Sequence, residues 1–221
     1  MNTRLLVASL LLGSLILSGA SRLAAQTPSA QAPQHSGDVR YVVTDLGTLG
    51  GSFSFAYDIN DRGEIDGTST LPGDQVQHSY AWKNGQMTDL GTLGGLNSES
   101  YADLNDKGQI TGTAEIAVSD PNNENFCSFG TNLICLGFIW QNDVMRPLST
   151  LGGNNGQSTD VNDRSEISGF AETATKDPNC PPPQVLQFLP VIWSKIWSDP
   201  SVALVQGRHG RSCLLGEQPG R

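Results

Sequence analysis

The chain has 221 residues, with 22 acidic and 13 basic side chains and a formal charge of −9. A nucleic-acid-binding protein needs a basic face to neutralise phosphates, so this acidic balance argues against that class. The 25 glycines also disfavour long helices, because glycine weakens a helix interior by about 1 kcal/mol relative to alanine.

Residues 1–25 have the pattern of a secretory signal peptide. Arg4 supplies a positive start, Leu5 to Leu17 form a mainly apolar run, and small residues then allow cleavage after Ala20 or after Ala25. The run is shorter than the roughly 20 residues that span a bilayer, and no later run reaches that length. We therefore expect a secreted chain, periplasmic or extracellular, with no membrane span after maturation. Residues 26–38 are rich in Pro, Gln and Ser and are typical of a disordered linker.

Three sequence markers then recur in the same order. The first is Asp45–Gly51, which returns letter for letter as Asp89–Gly95 and in a degraded form as Leu148–Gly153. The second is a ten-residue segment with five positions identical in all copies, at Asp58–Gly67, Asp103–Gly112 and Asp160–Gly169. The third is a strand-like run that ends in Trp82, Trp140 and Trp193. A period of 40–50 residues is typical of solenoids, propellers or arrays.

Each repeat predicts four short antiparallel strands. In the first, residues before Asn60 form one strand, Asn60–Gly63 has turn chemistry, and residues 64–69 form the returning strand. A third strand ends at Trp82, and Asn84-Gly85 predicts a tight hairpin into a fourth strand over residues 87–90. Four antiparallel strands per repeat favour a propeller blade, with a β-solenoid as the alternative.

The fold that we expect is therefore all-β, a partial propeller-like array of about three four-stranded units that follows the signal peptide. The repeats occupy residues 39–195, in units of about 41–88, 89–147 and 148–195. Residues 196–221 lack the repeat markers and form an off-pattern tail, which suggests a truncated or frameshifted end. A closed propeller usually needs about four to eight blades, so the number of blades stays open.

The second repeat carries an insertion with two of the four cysteines. Cys127 and Cys135 enclose seven residues, and export permits disulfides, so we expect these two to pair. The pairing of Cys180 and Cys213 stays open. No Cys-x-x-Cys segment is present to favour zinc, and we expect no cofactor.

The turn segments resemble calcium loops only weakly. Alternating oxygen side chains are what Ca²⁺ requires, but Arg62, Lys107 and Arg164 stand where a third ligand should be. A turn-forming role is the better interpretation, with calcium as a distant second. The residues concerned are Asp58, Asn60, Asp61, Asp103, Asn105, Asp106, Asp160, Asn162 and Asp163.

The repeated tryptophans have two interpretations, a carbohydrate platform and packing between units. Because Trp82, Trp140 and Trp193 occupy equivalent positions, packing in the repeat core is the simpler one.

The three markers resemble the HAF-type probable extracellular repeat family, a bacterial secreted repeat. The family pattern combines Asp-Leu-Gly-Thr-Leu-Gly-Gly, Ile-Asn-x-x-Gly-x-Ile-x-Gly and His-Ala-Phe-x-Trp, to which His78–Trp82 is the nearest match here. The resemblance covers about residues 41–195. It implies a secreted, propeller-like β-repeat protein and brings no catalytic residues.

No catalytic motif stands out in the repeats, so we expect a non-enzymatic protein that offers a binding or interaction surface. A fragment of a polysaccharide-active propeller enzyme, or a truncated remnant without function of its own, are the alternatives. The ligand cannot be read from the sequence. Exposed strand edges predict self-association.

Overall fold

The structure, a computed structural model, describes residues 39–101, 104–180 and 182–194. The predicted signal peptide, linker and tail lie outside these described residues. The chain divides between Val43 and Thr44 into two units, and the first contributes residues 39–43, which contain no strand. All the strands belong to the second unit.

The described residues contain eleven strands and no helix, which confirms the predicted all-β fold. The strands form three antiparallel sheets, in which neighbours along the chain are also neighbours in the sheet. The first sheet has β1 (Ser54–Ile59), β2 (Ile65–Thr70), β3 (Gln77–Lys83) and β4 (Gln86–Asp89). The second has β5 (Ser98–Glu99), β6 (Ile110–Ser119), β7 (Leu133–Gln141) and β8 (Val144–Pro147). The third has β9 (Gly152–Val161), β10 (Ile167–Lys176) and β11 (Leu186–Trp193).

Four strands were expected in each unit, and within the described residues the third sheet has three.

Two-residue turns join the third and fourth strands of the first two sheets. Asn84 and Gly85 both have positive φ, and so do Asn142 and Asp143 at the equivalent place. Positive φ at both central residues matches the right-handed twist of the flanking strands, and Asn, Asp and Gly tolerate it best. The same backbone geometry therefore closes both hairpins.

The Gly-Gly pair brings the chain into each sheet, and its two glycines are needed for different reasons. The first glycine has a φ of 104° at Gly50, 106° at Gly94 and 101° at Gly152, a region that side chains disfavour. The second has no room for a side chain, since a Cβ on Gly95 would lie 2.5 Å from Glu115 Cβ. The repeated motif is thus a tight entry turn whose last residue lies against the second strand of its own sheet.

The interior of the described residues is more polar than apolar, with 20 buried polar or charged residues against 13 buried apolar ones. The main apolar cluster contains Leu90, Leu104, Ile110, Ala114 and Phe138, so it joins the first two sheets. Buried polar groups cost free energy unless they are hydrogen-bonded. The sheets must therefore be held together largely by polar contacts in addition to apolar packing.

Repeated side chains supply those polar contacts between sheets. The short strand β5 lies on β2 and β3, and β9 lies on β6 and β7. The Ser100 hydroxyl donates to the Gly67 carbonyl at 3.0 Å, and the equivalent Ser158 donates to the Gly112 carbonyl at 2.7 Å. The second and third sheets therefore each pack on the preceding sheet through a serine at the equivalent position of the repeat.

Candidate functional site

Each repeat contains one turn anchored by an asparagine. The Oδ1 atom of this asparagine accepts the N–H groups of the residues two and four positions later, at 2.8–3.1 Å. Its Nδ2 atom donates to the side chain four positions later, at 2.7–2.8 Å. The three asparagines are Asn60, Asn105 and Asn162. Their side chains are occupied by the turn that they form.

The three turns are also bonded to one another. Asn60 Nδ2 donates to the Asn105 carbonyl at 3.0 Å, and Asn105 Nδ2 donates to the Asn162 carbonyl at 2.9 Å. The N–H of Asp61 donates to Asp106 Oδ1 at 3.0 Å, and that of Asp106 to Asp163 Oδ1 at 3.1 Å. Three equivalent residues from each repeat surround one depression of about 360 Å³. The turns therefore link successive sheets at one end of the array.

The remaining calcium-like aspartates are also engaged. Asp58 Oδ1 accepts the N–H of Ile59 at 2.8 Å, and Asp160 Oδ1 accepts that of Val161 at 2.7 Å. Asp103 lies outside the described residues. Within the part of the chain that the structure describes, no group of three His, Cys, Asp or Glu residues could hold a metal ion. The hydrogen bonds of Asp58 and Asp160 are those of local turns.

The three tryptophans lie at matching positions but are only partly buried. Trp82 is paired with Ile65 and Met87, and Trp140 with Ile110 and Met145. Trp140 packs against the main apolar cluster, whereas Trp193 Nε1 donates to the Ser149 carbonyl at 2.9 Å. Packing is therefore observed for Trp140, and Trp193 is tied to its own sheet by a hydrogen bond.

One part of the molecule does not follow the repeat, namely the insertion between β6 and β7. A disulfide joins Cys127 to Cys135, so it ties the insertion to β7. Cys213 lies outside the described residues. The insertion places two buried acids, Asp120 and Glu124, beside the third sheet. The third repeat begins its own loop, between β10 and β11, with the same Asp-Pro-Asn sequence at Asp177, but that loop is shorter.

The buried Asn155 side chain is the centre of this region. Its Nδ2 atom lies 2.8 Å from Asp120 Oδ2 and 3.1 Å from Glu124 Oε2, and its Oδ1 atom accepts the N–H of Cys135 at 3.0 Å. The Glu172 Oε2 atom accepts the backbone N–H groups of residues 154 and 155, at 2.9 and 2.8 Å. Carboxyl groups of the insertion and of β10 therefore surround the side chain and backbone of Asn155.

Part of this arrangement repeats in the second sheet. There Asn97 Nδ2 donates to Glu115 Oε2 at 2.9 Å, and Asn97 Oδ1 accepts the N–H of Gln77 at 3.1 Å. The Asn–Glu pair is thus a repeated contact within a sheet, and the asparagine Oδ1 atom joins that sheet to the preceding one. The third sheet differs from the second because a further glutamate, Glu124 of the insertion, lies beside its Asn–Glu pair.

The two glutamates Glu124 and Glu172 form a carboxyl pair. Burial, a hydrogen bond with Glu124 and the charge of Glu124 together raise the pKa of Glu172 to about 8. A hydrogen bond between two carboxyl groups requires a proton on one of them, and the raised pKa assigns that proton to Glu172. Glu124 Oε1 accepts the backbone N–H groups of Val185 and Leu186.

Three phenylalanine rings form the apolar part of the same site. Phe126, from the insertion, stacks on Phe188 with ring centroids 4.9 Å apart, and Phe170 meets Phe188 edge to face at 5.6 Å. These rings and the carboxyl pair line a pocket of about 470 Å³, with Ser128, Gln157 and Gln184 among its other walls. Volumes of about 300–1,000 Å³ are typical of sites for small molecules. We call this the insertion pocket.

Known motifs and repeated residues do not indicate the insertion pocket. A usable signal was present, since Glu172 aligns with Glu115 and Thr70, and the second and third repeats are both longer than the first between the repeat glycine and the tryptophan. Phe126 and Phe188 lie 62 positions apart, so their contact depends on how the sheets stack.

Comparison of the chain with protein-family models, with curated proteins and with solved structures found no match. The described residues include no helix that is long and apolar enough to cross a membrane.

Proposed function

We propose that this chain is an exported, non-enzymatic β-repeat protein of the HAF type, with its sheets arranged as blades of a propeller-like array. Removal of the signal peptide would leave a chain starting at Ser21 or Gln26, which N-terminal sequencing of the exported protein tests. The meeting of equivalent turns from all three repeats around one depression supports the propeller-like arrangement. The repeat markers support the HAF assignment.

The binding function that we propose belongs to the insertion pocket. The observation that carries it is that the pocket of about 470 Å³ is lined mainly by residues of the insertion and by Phe170 and Phe188, which have no phenylalanine at the equivalent positions of the other repeats, while most repeated polar residues are engaged in turns and sheet contacts. Three aromatic rings favour an apolar or flat ligand. The carboxyl pair disfavours an anionic ligand and favours one that is neutral or carries a hydrogen-bond donor.

The neutral fluorescent probe N-phenyl-1-naphthylamine tests this pocket. We expect it to bind the folded protein with a stoichiometry of one, and Phe126→Ala to weaken binding at least tenfold because one wall is lost. The matched control is Val144→Ala, which shortens an exposed apolar side chain of the second sheet and should leave probe binding unchanged. Thermal melting monitors the fold of both variants. Failure of the probe to bind, or equal binding by Phe126→Ala, would contradict the proposal.

A polysaccharide-active enzyme is the second candidate, and the Glu124–Glu172 pair is the observation that favours it. Glycosidases use two carboxyl groups that flank the scissile bond. Here, however, both glutamates accept backbone N–H groups, and His78, the one histidine among the described residues, is held by Asp89 and the Leu96 carbonyl. Release of reducing sugar from a polysaccharide by the native chain, with loss of that activity in Glu172→Gln, would establish the enzyme instead.

A further inference from the structure

The segment before the first repeat has the sequence position of a fourth strand. Asp45–Gly51 is identical to Asp89–Gly95, and the four residues that end at Asp89 form β4. The equivalent four residues in the second repeat end at Pro147 and form β8. Residues 42–45 therefore correspond to a fourth strand. In the structure they form no strand, and Val43 is 95% exposed.

The third sheet lacks a fourth strand within the described residues. Its last strand β11 corresponds to β3 and β7, each of which pairs with a fourth strand on the side away from the second. Within the described residues β11 pairs with β10 alone, and its Ile192 is 67% exposed. An exposed strand edge of this kind is a template for pairing with another segment.

The first sheet also has a face that, within the described residues, has no preceding sheet to contact. Asn97 on the second sheet and Asn155 on the third receive an N–H from the preceding sheet, whereas the same position in the first sheet is Phe53, which is 51% exposed. Its ring lies 4.3 Å from that of Phe55, which is also exposed, whereas the next ring along the strand, Tyr57, contacts Glu99 and Tyr101. Phe53 and Phe55 therefore form an exposed aromatic row on the face where the other two sheets contact a preceding sheet.

We propose that two copies of this chain associate head to tail. The aromatic row of the first sheet of one copy packs against the third sheet of the other, and residues 42–45 of the first copy pair with β11 of the second. The existing registers, Trp82 with Met87 and Trp140 with Met145, place Val43 opposite Trp193 and Thr44 opposite Ile192. Applied twice about a twofold axis, this contact joins six sheets, within the range of about four to eight blades in closed propellers.

Chain length disfavours pairing of residues 42–45 with β11 of the same chain. The N–H of Leu49 is bonded to Ser69 Oγ at 2.9 Å, which fixes the chain to the first sheet a few residues after Asp45. Four residues reach at most about 14 Å. The second sheet contacts both the first and the third, and two sheet spacings of about 10 Å exceed that reach.

The sequence after β11 does not favour a hairpin either. Asn84-Gly85 and Asn142-Asp143 make the turns in the first two sheets, and Lys195-Ile196 occupies the same place after Trp193. A β-branched residue such as isoleucine is disfavoured at positive φ. A fourth strand from a second copy therefore fits β11 better than one supplied through a tight turn.

Light scattering during gel filtration of the exported full-length chain tests the association. We expect a dimer at micromolar concentration and at least a tenfold weaker one in Thr44→Pro, because Thr44 corresponds to Thr88, which lies at a hydrogen-bonded pair of the ladder, and proline removes its N–H. Val39→Pro, in an exposed position before the strand, is the matched control and should remain dimeric. A monomeric native chain, or a dimer that Thr44→Pro leaves unchanged, would overturn the proposal.

A disulfide-trapping experiment separates the two sources of the strand. The double variant Thr44→Cys, Ile192→Cys should run at twice the monomer mass on a non-reducing gel, while neither single variant should. A crosslinked band at monomer mass would show pairing within one chain and would overturn the proposal. So would dimerisation that appears only after deletion of residues 195–221, because the tail would then be the natural partner of β11.

Discussion

One asparagine closes the same turn in each repeat, and this turn requires a positive φ at the residue three positions later. The turn that it closes ends in a residue with positive φ, Gly63 at 70° and Gly108 at 69°. In the third repeat Ser165 occupies this place with a φ of 64°. A side chain in this region is strained by about 1 kcal/mol or more. The degraded third repeat thus keeps the turn at a cost in stability.

Ser165→Gly should therefore stabilise the protein by about 0.5–1 kcal/mol, because the relief of backbone strain exceeds the added flexibility of the unfolded chain. The reciprocal change, Gly63→Ser, should destabilise by about 1 kcal/mol, and a Cβ there meets no atom within 4 Å, so the effect comes from the backbone alone. Urea unfolding of both variants measures the changes. Equal and small effects of the two substitutions would contradict this explanation.

The buried carboxyl pair predicts an unusual pH dependence. The folded-state pKa of Glu172 lies above the ordinary value of 4.5, at about 8, so folding takes up a proton between these two values. The free energy of unfolding should then decrease as pH rises from about 4.5 to 8. Glu172→Gln keeps the shape without the titrating proton, so its stability should be flatter over this range and exceed that of the native chain at pH 8.

Urea unfolding at pH 5, 6, 7 and 8 measures this difference. The control is Glu166→Gln, which removes an exposed carboxyl group whose pKa is lowered by hydrogen bonds from Asn162 and Arg164. That variant should keep the native decrease in stability with pH. Parallel curves for Glu172→Gln and the native chain would contradict the assignment of the buried proton to this pair.

At the scale of the elements, a repeated hydroxyl joins one sheet to the next. Ser158 Oγ is fully buried, accepts the N–H of Gly112 at 2.8 Å and donates to the Gly112 carbonyl. Ser158→Ala should destabilise the protein by about 1–3 kcal/mol, because two buried backbone groups lose their partner. Thr159→Ala, an exposed hydroxyl on the same strand, should change stability by about 0.5 kcal/mol or less.

Denaturant unfolding of these two variants tests whether the contact between sheets matters. If Ser158→Ala proves as harmless as Thr159→Ala, the repeated serine does not hold the sheets together.

The strands were predictable from the sequence, and the way that the sheets interlock was not. Turn residues such as Asn60 and Asn84-Gly85 act within a few positions, so local chemistry defines each hairpin. The bond from Ser158 to Gly112 spans 46 positions, and no local preference encodes it. The insertion pocket likewise depends on a loop of the second repeat that reaches the third sheet. Such contacts follow from stacking, which a single sequence reveals only through its repeats.

At the scale of the whole molecule, the chain is a series of similar sheets whose polar residues are mostly used between neighbours. The second sheet contacts the first on one side and the third on the other. Within the described residues, the outer sides of the first and third sheets have no neighbouring sheet. Stability in such arrays is approximately a sum of unit and interface contributions. The proposed association through the ends and the proposed ligand binding in the insertion pocket use different residues and are independent of each other.

Nuclear Overhauser contacts between neighbouring sheets are the most direct test of how the repeats stack. Cross-peaks should connect the α-protons of Gly67 with the β-protons of Ser100, and those of Gly112 with the β-protons of Ser158. Both pairs should be present with similar intensity, because the Ser–Gly hydrogen bonds are 3.0 and 2.7 Å long. Strong contacts within each sheet without either of these two pairs would show that the sheets form but do not stack as described.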